Sequence, residues 1–388
     1  KQGRQVEKNR LGNEDGANGL IVQRLLNYLL RHTAEDAEVV AVVDADYCVH
    51  RQWLKHMVPH FMDPKIAVIQ SPQDYCDGHE SLFKLCCQAE YRGFFNIGMV
   101  IRNDHDAIIQ HGTMTLIRRS ALDRLGWAQW CICEDAELGL RMLENGFSTG
   151  YAATSYGKGL TPDTFMDFKK QRYRWAYGAM QIVKRHAGSL IAGNCASLNA
   201  MQRYHFIAGW MPWMAEAMNY LLMLAALAWS MAMILKPETF VPLPWIFSTS
   251  LILMFALRSL KIIVLYRQLV STNIKEALAS ILAGMALYPT IGKAVLSGLV
   301  TSGMPFFRTP KHTSGNLIGQ TLLDVKEELS TVLISWITIM LLLTHKAFIN
   351  MNSGFWIAML LAQSLPYLAA VIMAILSAHA NRSARPAI

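Results

Sequence analysis

Four short stretches carry residue types at spacings suited to chemistry. Asp44-Ala45-Asp46 puts two carboxylates one residue apart after the Val-rich run AEVVAVVDAD of residues 37–46. Alternate strand residues point the same way, so both acids could face one divalent cation that carries a diphosphate. An acid pair in a turn has the same pattern. Glu134-Asp135 opens the stretch EDAELGLRM, where carboxylates cap free helix amides or, aimed into a pocket, take a proton as a general base. Gln171-Arg172-Tyr173-Arg174-Trp175 combines an amide, two guanidinium groups and an indole. That set suits clamping phosphate oxygens and stacking on a sugar ring. An amphipathic helix at a membrane surface, with basic and aromatic anchors, has the same composition. Gln110-His111-Gly112-Thr113-Met114-Thr115 places a glycine where a ligand or backbone comes close, or where structure alone needs one.

The elements around these residues alternate between strand and helix. Residues 37–46 fit a buried parallel strand, and its C-terminal edge is where open α/β sheets bind ligands. Residues 66–70 (IAVIQ) form a second strand leading into Ser71-Pro72-Gln73, and a helix with aromatic residues follows from about 82 to 98. Residues 110–115 read as a strand, 149–153 as another, and 157–163 as a loop. A helix begins at Glu134, and a basic helix over 165–186 carries the Gln171–Trp175 motif. Residues 20–31 have helix spacing, whereas 1–19 are polar and without period.

Of 388 residues, 53% are hydrophobic and 16% charged, too apolar for an ordinary soluble chain. Acids concentrate before about residue 170, while Lys and Arg continue to the end and leave a net charge of +8. This balance fits the cytoplasmic face of a bilayer and an anionic substrate. No motif supports nucleic-acid binding. Seven cysteines lack zinc spacing and read as reduced thiols.

The apolar half reads as a lead-in helix at the interface, with Trp210, Pro212, Trp213 and Glu216, then crossings over 217–235, 244–266, 329–343 and 355–377. Residues 274–300 contain Lys275, Glu276, Pro289 and Lys293 and are expected at the interface or re-entrant. A crossing there would put Arg308, Lys311, Lys326, Arg382 and Arg385 outside, against the positive-inside rule. Four crossings then leave both ends cytoplasmic. Glu216, Asn219, Arg258 and Gln363 inside the spans favour a water-filled path.

In order and spacing, Asp44-Ala45-Asp46, Glu134-Asp135 and Gln171–Trp175 resemble the D-x-D, E-D and Q-x-x-R-W signatures of processive family 2 glycosyltransferases, the membrane synthases of cellulose, curdlan, chitin and hyaluronan. Phe306-Phe307-Arg308-Thr309-Pro310-Lys311 resembles the F-x-V-T-x-K gating-loop motif of cellulose synthase, with Arg308 in place of Val. The phrases CEDAELGLRM, QRYRWAYGA and FFRTPK resemble bacterial β-1,3-glucan synthases of the NdvB type. The resemblance implies an α/β fold: a partial GT-A (Rossmann-like) cytoplasmic domain over about 26–200, then an α-helical membrane domain over 201–388 with a gating loop at 301–319.

It also implies roles. Asp46 with Asp44 would hold Mg2+ or Mn2+ on the diphosphate of UDP-glucose, and Asp135, beside Glu134, would deprotonate the acceptor hydroxyl. Gln171, Arg172, Arg174, Thr309 and Lys311 would bind the donor diphosphate. Trp175, with His111, Gly112 and Thr113, would bind the growing β-glucan. The implied setting is a multi-pass protein of the bacterial inner membrane, with the catalytic domain in the cytoplasm. Related alternatives are a β-1,4-glucan or other polysaccharide synthase, and a non-catalytic membrane scaffold or channel. The family's first donor-binding strand and uridine contacts belong before the present residues, so a fragment is expected, with residues 1–25 outside the domain. The K-A-G-A-L-N segment of the family appears only as Arg24-Leu25-Leu26-Asn27, without the lysine or glycine, and Cys133 stands where a threonine is common.

Overall fold

The computed structural model describes residues 37–302, 318–344 and 350–383. The 1–25 segment, Thr309, Lys311 and the rest of the Phe306–Lys311 motif lie outside the described residues. Short, mostly apolar runs make the strands β1 (Val39–Val42), β2 (Cys48–Val49), β3 (Ile66–Gln70), β4 (Asp74–Tyr75), β5 (Thr115–Arg118), β6 (Ser148–Tyr151) and β7 (Gly157–Gly159). Four form a mixed sheet in the order β1-β5-β3-β6, and three a small sheet in the order β2-β7-β4. β3 is buried from Ala67 to Gln70, pairs antiparallel with β5 (Ile69 opposite Leu116) and parallel with β6.

Three local expectations change. The strand predicted over 37–46 is shorter and not parallel: β1 ends at Val42, pairs antiparallel with β5, and is only half-buried. Beyond it the Tyr47 amide donates to the Asp44 carbonyl at 3.1 Å, closing a turn that carries both acids. The strand predicted over 110–115 begins only at Thr115, because the Gly112 amide bonds a side chain instead of a ladder partner. Within 157–163, expected as loop, Gly157–Gly159 pairs as β7 with β2 and β4.

Helices α1 (Leu82–Gly93), α2 (Glu134–Glu144) and α3 (Phe165–Arg185) cover this framework. α1 starts on Ser81, whose hydroxyl accepts from the Lys84 amide, and runs on into a π-helical turn over Phe94–Met99. α3 starts on Thr164, whose hydroxyl accepts from the Asp167 amide. α2 meets α3 closely at Gly178. A Cβ there would stand 2.4 Å from Cys133 Sγ, so any side chain would push the start of α2 away. Just past α3, the His186 ring lies between two acids of α2, 3.2 Å from Glu137 and 3.0 Å from Glu144. Arg141 Nε donates to both carboxylate oxygens of Glu137, at 2.7 and 2.9 Å.

Among the described residues, five further helices are long and apolar enough to cross a membrane: α4 (Ala200–Leu235), α5 (Trp245–Leu269), α6 (Ile274–Val300), α7 (Lys326–Thr344) and α8 (Met351–Ser383). α4 is one continuous helix through Pro212, where a lead-in helix and a separate crossing are expected from the sequence. Its 36 residues reach about 54 Å, well beyond a hydrocarbon core of about 30 Å. α6, expected to be interfacial or re-entrant, is likewise one continuous helix through Pro289. It is also the most enclosed of the five, packing against α1, α3, α4 and α8.

Small residues permit that packing. A Cβ on Gly292 would meet the Glu216 carbonyl at 2.7 Å, and one on Gly298 the Tyr177 carbonyl at 3.0 Å, so backbones approach directly. Ion pairs add Lys169 of α3 to Glu328 of α7, and Lys293 of α6 to Glu327. Of the four polar residues expected to line a path, Asn219 and Arg258 both bind Glu216. Arg258 pairs with Glu216, the Asn219 amide donates to it at 3.2 Å, and the guanidinium lies 4.3 Å from the Tyr288 ring centre. Gln363 keeps a buried carbonyl oxygen without a hydrogen bond.

The His186 clasp makes stability pH-dependent. Burial opposes the imidazolium, but the hydrogen bonds to Glu137 and Glu144 outweigh it and raise the pKa from 6.5 to about 9. A raised folded-state pKa stabilises fully below the unfolded value and loses that contribution as pH rises through the folded one. Thermal melting of the purified chain should therefore show a fall in Tm between about pH 6.5 and 9, and His186→Gln should flatten it. An unchanged slope in the variant would remove the clasp from the account.

Candidate active site

The site is built on the segment His111–Thr113, which precedes β5. The Gly112 amide donates to Asp135 Oδ2 at 2.6 Å, and the Ala136 amide donates to Oδ1 at 2.8 Å. Asp135 thus sits half-buried in the first turn of α2. Of these two donors one is the next amide of the helix and the other comes from outside it. A Cβ on Gly112 would lie 3.3 Å from Oδ2, so glycine allows the close approach.

His111 donates from Nδ1 to the Ile109 carbonyl at 2.6 Å, since a carbonyl can only accept, which leaves Nε2 without a proton in the neutral ring. Burial pushes its pKa below the usual value, while Asp135 and the Ile109 carbonyl pull the other way and Arg102 adds to the lowering. The ring stands edge-on to Trp175 with centroids 5.8 Å apart, and packs on Phe94 at 4.6 Å. Base candidate, imidazole and indole therefore form one wall.

Helical spacing sorts the Gln171–Trp175 motif into two faces. Gln171, Arg174 and Trp175, at i, i+3 and i+4, share a partly exposed face. Arg172 does not join them. It is buried, paired with Glu90, and caged by the rings of Tyr91, Phe168 and Trp175 at 4.6, 5.2 and 4.4 Å. Burial lowers its pKa to about 10, against the pull of Tyr75 and Cys87. Expected to bind the donor diphosphate, Arg172 is placed instead as the charged filling of an aromatic box that supports Trp175 from behind. Gln171 accepts a hydrogen bond from the Tyr91 hydroxyl.

The Asp44 turn joins the same assembly. The Asp44 amide donates to Thr113 Oγ1 at 3.0 Å, one residue on from the Asp135 contact. Asp44 is exposed and Asp46 half-buried. As hard oxygen donors on one turn, they are of the type that takes Mg2+ or Mn2+ together with phosphate oxygens. Among the described residues no group of three or more His, Cys, Asp or Glu side chains is placed to hold a metal. A row of rings links the turn to the motif helix: Tyr47 to Tyr75 at 6.4 Å, Tyr75 to Tyr91 at 4.7 Å, and Tyr91 to Trp175 at 6.0 Å. Burial, foremost, raises the pKa of all three phenols, so they stay protonated.

The structure thus links Asp44 to Thr113, Gly112 to Asp135 and His111 to Trp175 by direct contacts, with Asp46 on the Asp44 turn, Glu134 beside Asp135, and Gln171 and Arg174 on the Trp175 face of α3. Sequence reasoning missed Gln70, Tyr75, Glu90 and Tyr91. The available signal was a glutamine ending an otherwise apolar strand, and an acid and a tyrosine adjacent on the next helix.

Because Arg172 is buried, removing its partner should cost more than removing the pair. Glu90→Gln should destabilise the protein by on the order of 3 kcal/mol, and Glu90→Leu combined with Arg172→Met by less. Melting both variants against the parent in detergent checks this; equal or reversed losses would contradict the caged pair.

Comparison with known proteins adds the family. The family model described as Glycosyl transferase family group 2 matches residues 39–267, more than half of the chain. Cellulose synthase 1 of Komagataeibacter xylinus is 29% identical over 167 residues, 41% of this chain and 10% of that protein. The UDP-forming cellulose synthase catalytic subunit of Pseudomonas fluorescens (strain SBW25) is 30% identical over 165 residues, 41% of this chain and 22% of its own. Glucomannan 4-beta-mannosyltransferase 1 of Cyamopsis tetragonoloba is 23% identical over 198 residues, 50% of this chain and 37% of that one. The chain therefore spans well under half the length of these relatives. The matched region takes in the Asp44–Asp46 turn, the Glu134-Asp135 helix start and the 171–175 face, and on that match the chain belongs to glycosyl transferase family group 2.

Proposed function

We propose that this chain carries the transfer and membrane parts of an inverting, processive polysaccharide synthase. It adds glucose from UDP-glucose to a growing β-glucan and passes the polymer through the helices α4 to α8, with the α/β half on the cytoplasmic side of a bacterial inner membrane. The observation that carries this reading is Asp135, held by the Gly112 amide beside the His111–Trp175 wall. In transfer, Asp135 takes the proton of the acceptor hydroxyl as that oxygen attacks the anomeric carbon and the diphosphate leaves. One base acting on the acceptor, without a covalent intermediate, gives inversion. Glu134 adjoins it at the helix start.

Trp175 is the platform on which the acceptor ring stacks, and Gln171 and Arg174 face the donor diphosphate. Asp44 and Asp46 fit Mg2+ or Mn2+, which, when bound, offsets the negative charge developing on the leaving group. Thr309 and Lys311 are read as phosphate contacts from the gating segment. Two domains, about 26–200 and 201–388, divide the work.

A β-1,3 linkage rests on the likeness to NdvB-type synthases. The names of the relatives favour a second reading, a β-1,4 linkage, since cellulose synthases and a glucomannan 4-beta-mannosyltransferase align with this chain. The full-length protein in lipid vesicles, given labelled UDP-glucose and Mg2+, should make polymer that a β-1,3-glucanase digests. Digestion only by a β-1,4-glucanase selects the second reading, and no incorporation from any UDP-sugar would support a scaffold or channel instead. In the same assay Trp175→Ala should raise the KM for acceptor about tenfold or more while leaving that for UDP-glucose nearly unchanged. Equal effects on both would remove the platform role.

A further inference from the structure

We infer that Gln70 is a positioning residue for transfer, its side-chain amide fixing the His111–Thr113 segment and, through it, the separation of Asp135 from the Asp44 turn. This rests on reading Asp135 as the base. Gln70 ends β3 and is fully buried. Its Nε2 donates to the His111 carbonyl at 2.8 Å, and its Oε1 accepts from the His111 amide at 2.9 Å. Those two bonds are what a neighbouring strand would supply, but the strand at this place starts only at Thr115. The glutamine side chain thus stands in for the missing rung.

The residues just past His111 belong to the site itself. The Gly112 amide goes to Asp135, and Thr113 Oγ1 accepts from the Asp44 amide. Next, Met114 is held at φ +60°, a left-handed conformation that a non-glycine residue adopts only when its surroundings hold it there. Its carbonyl accepts from the Ser71 amide at 3.1 Å. Gln70 and Ser71, adjacent in sequence, therefore pin residues 111 and 114, and the two residues between them hold the base and the acid turn. A segment with no ladder of its own depends on that clamp for its geometry.

Displacement of a reacting group by about 1 Å can cost on the order of 100-fold in rate. In the full chain in vesicles, Gln70→Ala should lower kcat about 10- to 100-fold at saturating UDP-glucose while UDP affinity changes little. Gln70→Glu separates positioning from mere core packing. A protonated carboxyl both donates to the His111 carbonyl and accepts from its amide, whereas a carboxylate has no proton to donate. Its kcat relative to wild type should therefore fall as pH rises, at unchanged protein content by melting. Wild-type kcat in Gln70→Ala, or a Gln70→Glu profile parallel to wild type, would overturn the inference alone. Should Gln70→Ala not fold, the Gln70→Glu profile still decides. An inert wild-type chain would overturn the reading of Asp135 and the inference with it.

Discussion

The hydrogen bond from the Gly112 amide to the Asp135 carboxylate joins two halves of the α/β unit, beside the close packing of Gly139 of α2 on Gln110. On one side is a segment without ladder partners, hung from the buried end of β3. On the other is the first turn of a helix whose acids Glu137 and Glu144 are bound by Arg141 and His186. Gly112 and Gly178 both matter here because they have no side chain: one lets an amide reach the carboxylate, and the other lets Cys133 seat the helix start against α3. A carboxylate that must meet a hydroxyl within hydrogen-bond reach gains nothing from the right pKa if its support moves.

α3 couples this site to the membrane helices. One face carries Gln171, Arg174 and Trp175; Arg172 and its aromatic box fill the side toward α1. Farther along, Tyr177 and Met180 lie against Gly298 of α6, and Lys169 pairs with Glu328 of α7. Trp175 and helices α6 and α7 are thus parts of one packed body. Glu216 and Arg258 pair across α4 and α5, which reduces the cost of these two charges in an apolar surround.

Much of the site was legible in the chain because its chemistry sits in short runs. Acids at a helix start and an i, i+3, i+4 set on a basic helix are local patterns, and Glu134-Asp135 and Gln171, Arg174, Trp175 were readable from them. Arg172 was not, because whether an arginine faces ligand or core depends on Glu90 and Tyr91, some 80 residues away. The Asp44 and Asp46 turn was misread as strand since Val-rich runs do not mark where a ladder stops; that is set by pairing with β5. Gln70 escaped notice for the same reason, its partner being a backbone 41 residues on. Helices α4 and α6 run through their prolines because neighbouring helices support them, which local propensity does not report.

The central claim is that Asp135 is the base and not a part of donor binding. It is tested most directly by measuring UDP affinity and sugar transfer side by side for Asp135→Asn in the full-length protein in vesicles. The account predicts transfer abolished and UDP binding nearly unchanged. Retained transfer, or UDP binding lost together with transfer, would contradict it.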